Sequence, residues 1–544
     1  MGSILADSNV KAAIQQIAFR TEREDPNAVV DSFYDCNITS HLTNRNHQII
    51  QGRRGTGKTH ILLVLKDKLE NECCHCVYFD CKTTGSAADI SDTELPENHR
   101  AIQLIRDFLL FLHKDFLHYF SDVLHGEESE KKIVIRELLD HLHNECFSTG
   151  QIADKYEKSQ NQKHKLSRNT SENVKFSLSS ALAAGLDRVE NKFREHENGA
   201  VYNISGKSYN NIVIPNVYQC LNRLAEISGK EFVVLIDEWS NLPEDIQPHF
   251  AQFLNKSILP SSRITLKVAV VKGRTQYCIK KNNSIYGFEV GADISVALDL
   301  DNVYMYDRNP RQVFSNLYKI LWTHLKAKGV IKDISVESFL GTLFQDLKSA
   351  ILLARASEGN PRDFILIVNY CIIEMDGIGN SGTWIDSTTV CQAASSWFNR
   401  DKESALSPKQ KQLLSDISTY VVHRNNTRGF VLSESYLDDV AIQSLIDARV
   451  LHVAQTGLHF FNLSKEALAI LVLDFGTYVH RLITNQDIHF LTDDFFEEEV
   501  FSKYPRSKYS DKLFQFDGQR KFQLCYFDPK LSPEICPSYA SFIN

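Results

Sequence analysis

The sequence predicts an α/β fold: a parallel sheet core, a helical region after it, and a small winged-helix unit towards the C-terminus. Three stretches carry the prediction. The first is His47–Gln51, an apolar-leaning run that enters Gly52-Arg53-Arg54-Gly55-Thr56-Gly57-Lys58-Thr59 and leads into the helical run Ile61–Lys66. The second is Phe232-Val233-Val234-Leu235-Ile236, an unbroken apolar run followed by Asp237 and Glu238. The third is Ile264–Val271, which ends in Lys272-Gly273-Arg274-Thr275. Apolar strands that alternate with helical periodicity indicate a sheet covered on both faces, the parallel doubly wound arrangement.

The first stretch has the spacing Gly-x4-Gly-Lys-Thr between a strand and a helix, which is a P-loop. Its glycines let successive backbone N–H groups turn inward on phosphate oxygens, and the helix that follows adds its partial positive charge. The candidate nucleotide-binding residues are Gly52, Arg53, Arg54, Gly55, Thr56, Gly57, Lys58, Thr59 and His60. Lys58 is expected to reach the β- and γ-phosphates and the Thr59 hydroxyl to ligate Mg²⁺, so the implied ligands are ATP and Mg²⁺. Ligands of open α/β sheets bind outside the carboxyl ends of the strands. That rule places Asp237 to hold the Mg²⁺ shell and Glu238 to orient and polarise water.

A net charge of −8 argues against a nucleic-acid surface covering the whole chain, though not against a local basic patch. An apolar run long enough for a membrane span is absent from the sequence. Met1–Asp7 lacks a basic region followed by an apolar core, so no signal peptide and a cytoplasmic setting are expected. The cysteines are scattered, and Cys73, Cys74, Cys76 and Cys81 read as residues at the ends of a strand over Cys76–Asp80 rather than as a metal site.

Taken in order, the core is expected over 1–300. It opens with a helix over 9–22 and a second over Ala28–Phe33, where a nucleotide base could rest, although no residue can be nominated to read it. An insertion over about 84–205 interrupts the core. It has helical periodicity at 98–124 and 128–146, then a polar, locally basic stretch at 155–165. Pro215–Ala225 reads as the helix that feeds the second anchor strand, and Ile294–Leu298 as a further strand. A helical lid is expected over 301–402, with helices at 310–328, 334–355, 361–376 and 386–400. Between two of them stands Gly359-Asn360-Pro361-Arg362-Asp363, where Arg362 falls in the first turn of a helix. A cation is unfavourable there, so an anionic partner is expected, either a carboxylate or a nucleotide phosphate.

Residues 403–484 read as a winged helix. The pattern is a helix over Pro408–Val422, a strand over Gly429–Leu432, a helical run Ser435–Ala448, and a hairpin of Val450–Ala454 and His459–Leu463. A helix over Lys465–Ile483 follows. The would-be recognition helix carries Asp438, Asp439 and Asp447 against Arg449, whereas a groove-reading helix should present donors and positive charge. DNA is therefore the disfavoured partner and a protein surface the favoured one. The tail, 485–544, holds an acidic and aromatic run at 493–499 with no assignable role beyond docking.

These motifs together resemble the AAA+ ATPases, in particular the origin-recognition-like branch and the related STAND-type ATPases of prokaryotes. Gly52–Thr59 resembles the Walker A motif and Val233–Glu238 the Walker B motif. The strand ending at Lys272–Thr275 resembles the sensor 1 strand, and Gly359–Asp363 the sensor 2 motif. The resemblance implies ATP hydrolysis with catalytic roles for Lys58, Glu238, Arg274 and Arg362, and metal ligation by Thr59 and Asp237. It implies a nucleotide-driven switch or assembly factor acting as a homo-oligomer or on a partner protein, in a setting such as prokaryotic anti-phage defence. The alternatives are a DNA-binding ATPase of the origin or transposition type, and a P-loop transferase or kinase. An arginine supplied to a neighbouring copy would come from Arg274, Arg308 or Arg311. The long insertion is a departure from a compact AAA+ core.

Overall fold

The core strands form where the apolar runs place them. Strand β1 (Gln48–Gln51) precedes the P-loop, and β2 (His75–Asp80) follows the P-loop helix. In the computed structural model the described residues are 2–17, 25–83, 90–147, 149–153, 206–210, 212–281, 284–377, 384–425, 427–458, 466–483, 513–516, 520–529 and 538–539. Strands β3 (Thr149–Ala153) and β4 (Gly206–Asn210) pair with each other inside the insertion. Strands β5 (Phe232–Asp237) and β6 (Ile264–Val270) are buried along their whole length. A hairpin of β7 (Cys278–Lys281) and β8 (Ser284–Gly287), which the periodicity does not reveal, leads to β9 (Ser295–Asp299).

The main sheet has the order β2-β5-β6-β1-β9, and each neighbouring pair is parallel. The register aligns Gln51 with Val270, Ile236 with Val268, and Asp80 with Asp237. The residues after β1, β5 and β6 therefore emerge at one edge, beside the point where the chain order reverses. Two apolar layers cover the faces. Leu62, Leu65 and Leu69 of the P-loop helix pack with Ile50, Val233 and Leu235 on one side. On the other, Leu104, Phe108 and Leu112 of the insertion pack with Phe79, Val234 and Ile236.

In chain order the helices that bear on the site are α1 (Ser8–Gln15), α2 (Pro26–Asp31), α3 (Lys58–Asn71), and α4 (Glu97–Tyr119) and α5 (Glu130–Phe147) of the insertion. Then come α6 (Ile214–Ser228), α7 (Gln247–Ser257), α8 (Leu300–Tyr304) and α9 (Pro310–Ala327). Helix α1 packs with the lid, since Val10, Ala13 and Ile14 share one cluster with Val313, Leu317 and Phe364. The sequence assigns 1–300 to the core, and within that span α1 shares its apolar cluster with helices that follow residue 309.

The expected helix over 334–355 is two helices, α10 (Val336–Leu343) and α11 (Leu347–Ala356). Phe344 leaves the helix to bridge Ile385, and Asp346 caps the new helix by accepting from the Ser349 amide. Helices α12 (Pro361–Gly377) and α13 (Ser387–Trp397) complete the lid.

The C-terminal domain has α14 (Pro408–Ser418), β10 (Gly429–Ser433), α15 (Val440–Asp447), β11 (Leu451–Leu458) and β12 (Leu468–Leu473). These elements follow the order read from the sequence in part: the helical run over Ser435–Ala448 is a 3-10 turn, Glu434–Asp438, and then α15, and two further elements differ. The helix over Lys465–Ile483 is strand β12 followed by a short helix, Val479–Ile483. The second hairpin strand is Leu468–Leu473, and His459–Leu463 lies outside the described residues. The reason is burial. Leu468–Leu473 is an inner strand between β11 and β10 and is apolar on both faces, a pattern that periodicity cannot tell from a buried helix. Strands β13 (Leu513–Phe516) and β14 (Arg520–Tyr526) extend the same sheet, with β14 parallel to β10, so part of the 485–544 stretch belongs to this domain. The basic stretch at 155–165 and the acidic run at 493–499 lie outside the described residues.

Candidate functional site

A cleft of about 280 Å³ opens at the carboxyl edge of the main sheet. Arg54 to His60 form its floor, Glu238 and Asn241 one wall, and Pro361, Arg362 and Ile365 of the lid another. The loop curls because Gly55 and Gly57 adopt φ values of 90° and 86°, which side-chain-bearing residues rarely adopt. The buried Thr56 hydroxyl donates to the Arg53 carbonyl at 2.8 Å and fixes the turn.

Lys58 Nζ donates to the loop's own carbonyls, Gly52 O at 2.9 Å and Arg53 O at 2.8 Å. Burial pushes its pKa down to about 8, against the opposing pull of Asp237, Asp301 and Glu238. The ammonium is thus held over the cradle by neutral acceptors that an incoming phosphate can replace. Asp237 is 1% exposed and accepts from Tyr78 Oη at 2.8 Å, from the Glu238 amide at 2.7 Å and from the Thr59 hydroxyl. Burial raises its pKa, and these donors oppose the rise. Thr59 and Asp237 therefore stand together as a hydroxyl and carboxylate oxygen pair, the donor set that Mg²⁺ takes in nucleotide sites.

Glu238 has a φ of 53°, the left-handed region, at the turn where β5 ends. This turn brings its carboxylate into the cleft wall, where Oε2 accepts from Asn241 Nδ2 at 2.8 Å. His60 lines the cleft but turns away from the loop. Its Nε2 lies 2.6 Å from Val29 O and its ring 5.0 Å from the Phe33 ring. With Phe33, Tyr34, Tyr304 and His324 it forms an aromatic end to the cleft, below α2, where the sequence places the base but names no residue.

The lid grips the loop. Asn360 caps α12, accepting from the Arg362 and Asp363 amides at 3.0 and 3.4 Å, and its Nδ2 donates to Arg54 O at 2.7 Å. The Arg362 amide also donates to Gly55 O at 3.3 Å. Glu358, with a φ of 48°, and Gly359 make the turn, and a Cβ on Gly359 would overlap the Tyr304 carbonyl.

The structure separates the expected site residues into two groups. Arg54, Gly55, Thr56, Gly57, Lys58, Thr59, His60, Glu238 and Arg362 line the cleft, while Asp237 lies just beneath it. Gly52 packs against Leu300, and the Arg53 side chain leaves the cleft. Arg53 Nε pairs with Asp301 at 2.9 Å, Nη2 donates to Glu358 O at 3.2 Å, and Nη1 meets His452 Nδ1 of the C-terminal domain at 3.0 Å. Arg274 likewise faces the C-terminal domain, with Nε 2.7 Å from Asp447. Arg308 Nε donates to Ala454 O at 2.9 Å.

Behind Arg53 runs a buried charge network that the sequence does not reveal. His452 Nε2 meets Asp474 at 2.9 Å, and Lys402 Nζ bridges Asp474 at 2.6 Å and Asp363 at 3.0 Å. Arg449 adds a 2.6 Å pair to Asp363. Burial alone would raise the carboxyl pKa values, but Lys402 with His452 holds Asp474 low, and Lys402 with Arg449 holds Asp363 low. Burial keeps His452 below its ordinary value despite Asp474.

A parallel sheet with these motifs at its switch point decides the fold class. The core is a P-loop α/β fold with a parallel five-stranded sheet. Neither a family model nor a curated protein matches the chain. Among solved structures it is similar to Cdc6p from Pyrobaculum aerophilum, at 11% identity over 87% of this chain and 98% of that one, with a TM-score of 0.29. It is also similar to a point mutant of RuvB from Thermotoga maritima, at 9% identity over 82% and 91%, with a TM-score of 0.30. A third is Drosophila ORC bound to DNA, at 9% identity over 89% and 92%, with a TM-score of 0.30. The strand order and loop geometry of the chain itself, not these likenesses, carry the fold.

Proposed function

We propose that this chain is an ATP-hydrolysing switch that passes its nucleotide state from the P-loop to the lid and the C-terminal domain. The carrying observation is that one loop, 52–57, both floors the cleft and is fastened to the other two parts. Asn360 and Arg362 hold its carbonyls, and Arg53 ties it to His452. Lys58 exchanges the carbonyls of Gly52 and Arg53 for phosphate oxygens when a triphosphate enters. Thr59 and Asp237 would hold Mg²⁺, which supplies charge neutralisation on the phosphates when bound. Glu238 leaves Asn241 to accept a proton from the attacking water. Settling the loop on phosphate shifts the Arg54 and Gly55 carbonyls, and with them the first turn of α12.

The DNA-binding alternative has less support. Helix α15 is committed to the protein's own surfaces, with Gln443 donating to Gly273 O at 3.4 Å, Asp447 pairing with Arg274, and Asp439 accepting from Tyr539 Oη at 2.7 Å. Two of the three acids that argued against groove reading, Asp439 and Asp447, therefore have structural partners. The resemblance alone motivates a setting in prokaryotic anti-phage defence, which plaque counts on cells carrying the parent or Lys58→Ala would test.

The biochemical test is turnover and limited proteolysis together. The parent protein should hydrolyse ATP, and cleavage within 355–400 should differ between ATP and ADP. Lys58→Ala should lose both responses, and Arg362→Ala should blunt the difference. Equal ATP and ADP protection in the parent would remove the switch.

A further inference from the structure

Several cations surround the P-loop, and nearly all are already engaged. Lys58 is bonded to loop carbonyls, Arg53 to Asp301 and His452, Arg274 to Asp447, and Arg449 to Asp363. Arg54 differs. It lines the cleft beside Lys58, Glu238 and Arg362, and among the described residues its guanidinium makes no hydrogen bond or ion pair. Its backbone, by contrast, is pinned, because Asn360 Nδ2 donates to Arg54 O at 2.7 Å and the next carbonyl, of Gly55, accepts from the Arg362 amide at 3.3 Å. The side chain therefore springs from a fixed point at the mouth of the phosphate cradle.

Its electrostatic surroundings are unfavourable. Partial burial and the like charges of Arg274 and Arg449 work against the guanidinium, and Glu238 and Asp447 only partly offset them. Arginine stays protonated throughout, so the repulsion is relieved by an anion and not by proton loss. A triphosphate seated over Lys58 brings its terminal group to the Glu238 side of the loop, where Arg54 waits with a planar fork suited to phosphate oxygens.

We propose that Arg54 contacts the terminal phosphate of the bound nucleoside triphosphate from within the same chain, so that hydrolysis needs no arginine from a neighbouring copy. This rests on the ATPase reading above. It assigns Arg54 to the triphosphate state in particular, since a diphosphate ends short of it.

The test uses the full chain as parent, Arg54→Ala, Arg54→Lys and Lys58→Ala. ATP and ADP affinities are measured by calorimetry, and phosphate release is followed across serial dilution of the protein. Parent turnover per chain should stay constant on dilution. Arg54→Ala should lower kcat about 10²- to 10³-fold, the usual cost of one preorganised donor to transition-state charge. It should weaken ATP and leave ADP affinity unchanged, with a thermal midpoint close to the parent's because the side chain has no hydrogen bond or ion pair to lose. Arg54→Lys should recover part of the loss, keeping the charge without the fork. Parent-like turnover and ATP-over-ADP preference in Arg54→Ala would overturn this assignment alone. So would parent turnover per chain that collapses on dilution. A parent no faster than Lys58→Ala would remove the ATPase reading and this assignment together.

Discussion

Replacing Lys402 with Met should be among the most damaging single changes in the C-terminal half of the protein. The side chain is 1% exposed and its two carboxylate partners are each 2% exposed. Methionine keeps the volume but leaves Asp363 and Asp474 with less compensation for being out of water. Removing one partner from a buried ion pair costs about 3–5 kcal/mol. Arg449 still faces Asp363, and His452 still faces Asp474, which argues for the lower end of that range. At roughly 2–4 °C per kcal/mol for a unit of about 200 residues, the transition should fall by about 6–12 °C. The assay is a thermal melt followed by calorimetry, with Lys11→Met as control. Lys11 pairs with Asp376 at 2.6 Å, but Asp376 is 53% exposed, so that loss should stay within about 1 kcal/mol. A Lys402→Met midpoint within about 2 °C of the control's, at the same conversion, would refute the claim that the buried network holds the lid to the C-terminal domain.

Two further outcomes concern the cleft. Glu238→Gln should bind ATP with parent affinity and lose about 10²- to 10⁴-fold in hydrolysis, because the amide cannot take a proton from water; loss of binding instead would make Glu238 a structural or metal-holding group. ATP binding should take up a growing fraction of a proton as pH rises from about 7 to about 8.5, since burial sets Lys58 near 8 and phosphate raises it again. The sign for folding is the reverse. The folded pKa is depressed, so the unfolded chain holds more protons between about 8 and 10.5, and this group's contribution to apo stability rises with pH across that window. Calorimetry in two buffers of different ionisation enthalpy reads the uptake, and a value that does not change with pH would show that Lys58 is protonated throughout.

The sequence by itself determined the local chemistry. Gly52–Thr59 reads as a tight glycine loop between a strand and a helix, because its glycine spacing and the lysine that follows are tied to one backbone geometry. Phe232–Glu238 had to be a buried strand ending in acids, and Glu238 does reach the cleft wall beside Asn241. Both elements form as read because strand, loop and acid are contiguous in the chain. The tertiary structure alone decided the rest. Leu468–Leu473 is a strand rather than a helix because it lies between β11 and β10, and its composition suits either state. Arg53 and Arg54 are adjacent and identical in type, yet one reaches His452 and the other lines the cleft, since the turn of the loop sends their side chains apart. Lys402, His452 and Asp474 carry no signal in the sequence. Their meaning comes from contacts across tens of residues of chain, and only the packing of the lid against the C-terminal sheet takes all three out of water and makes each charge depend on the next.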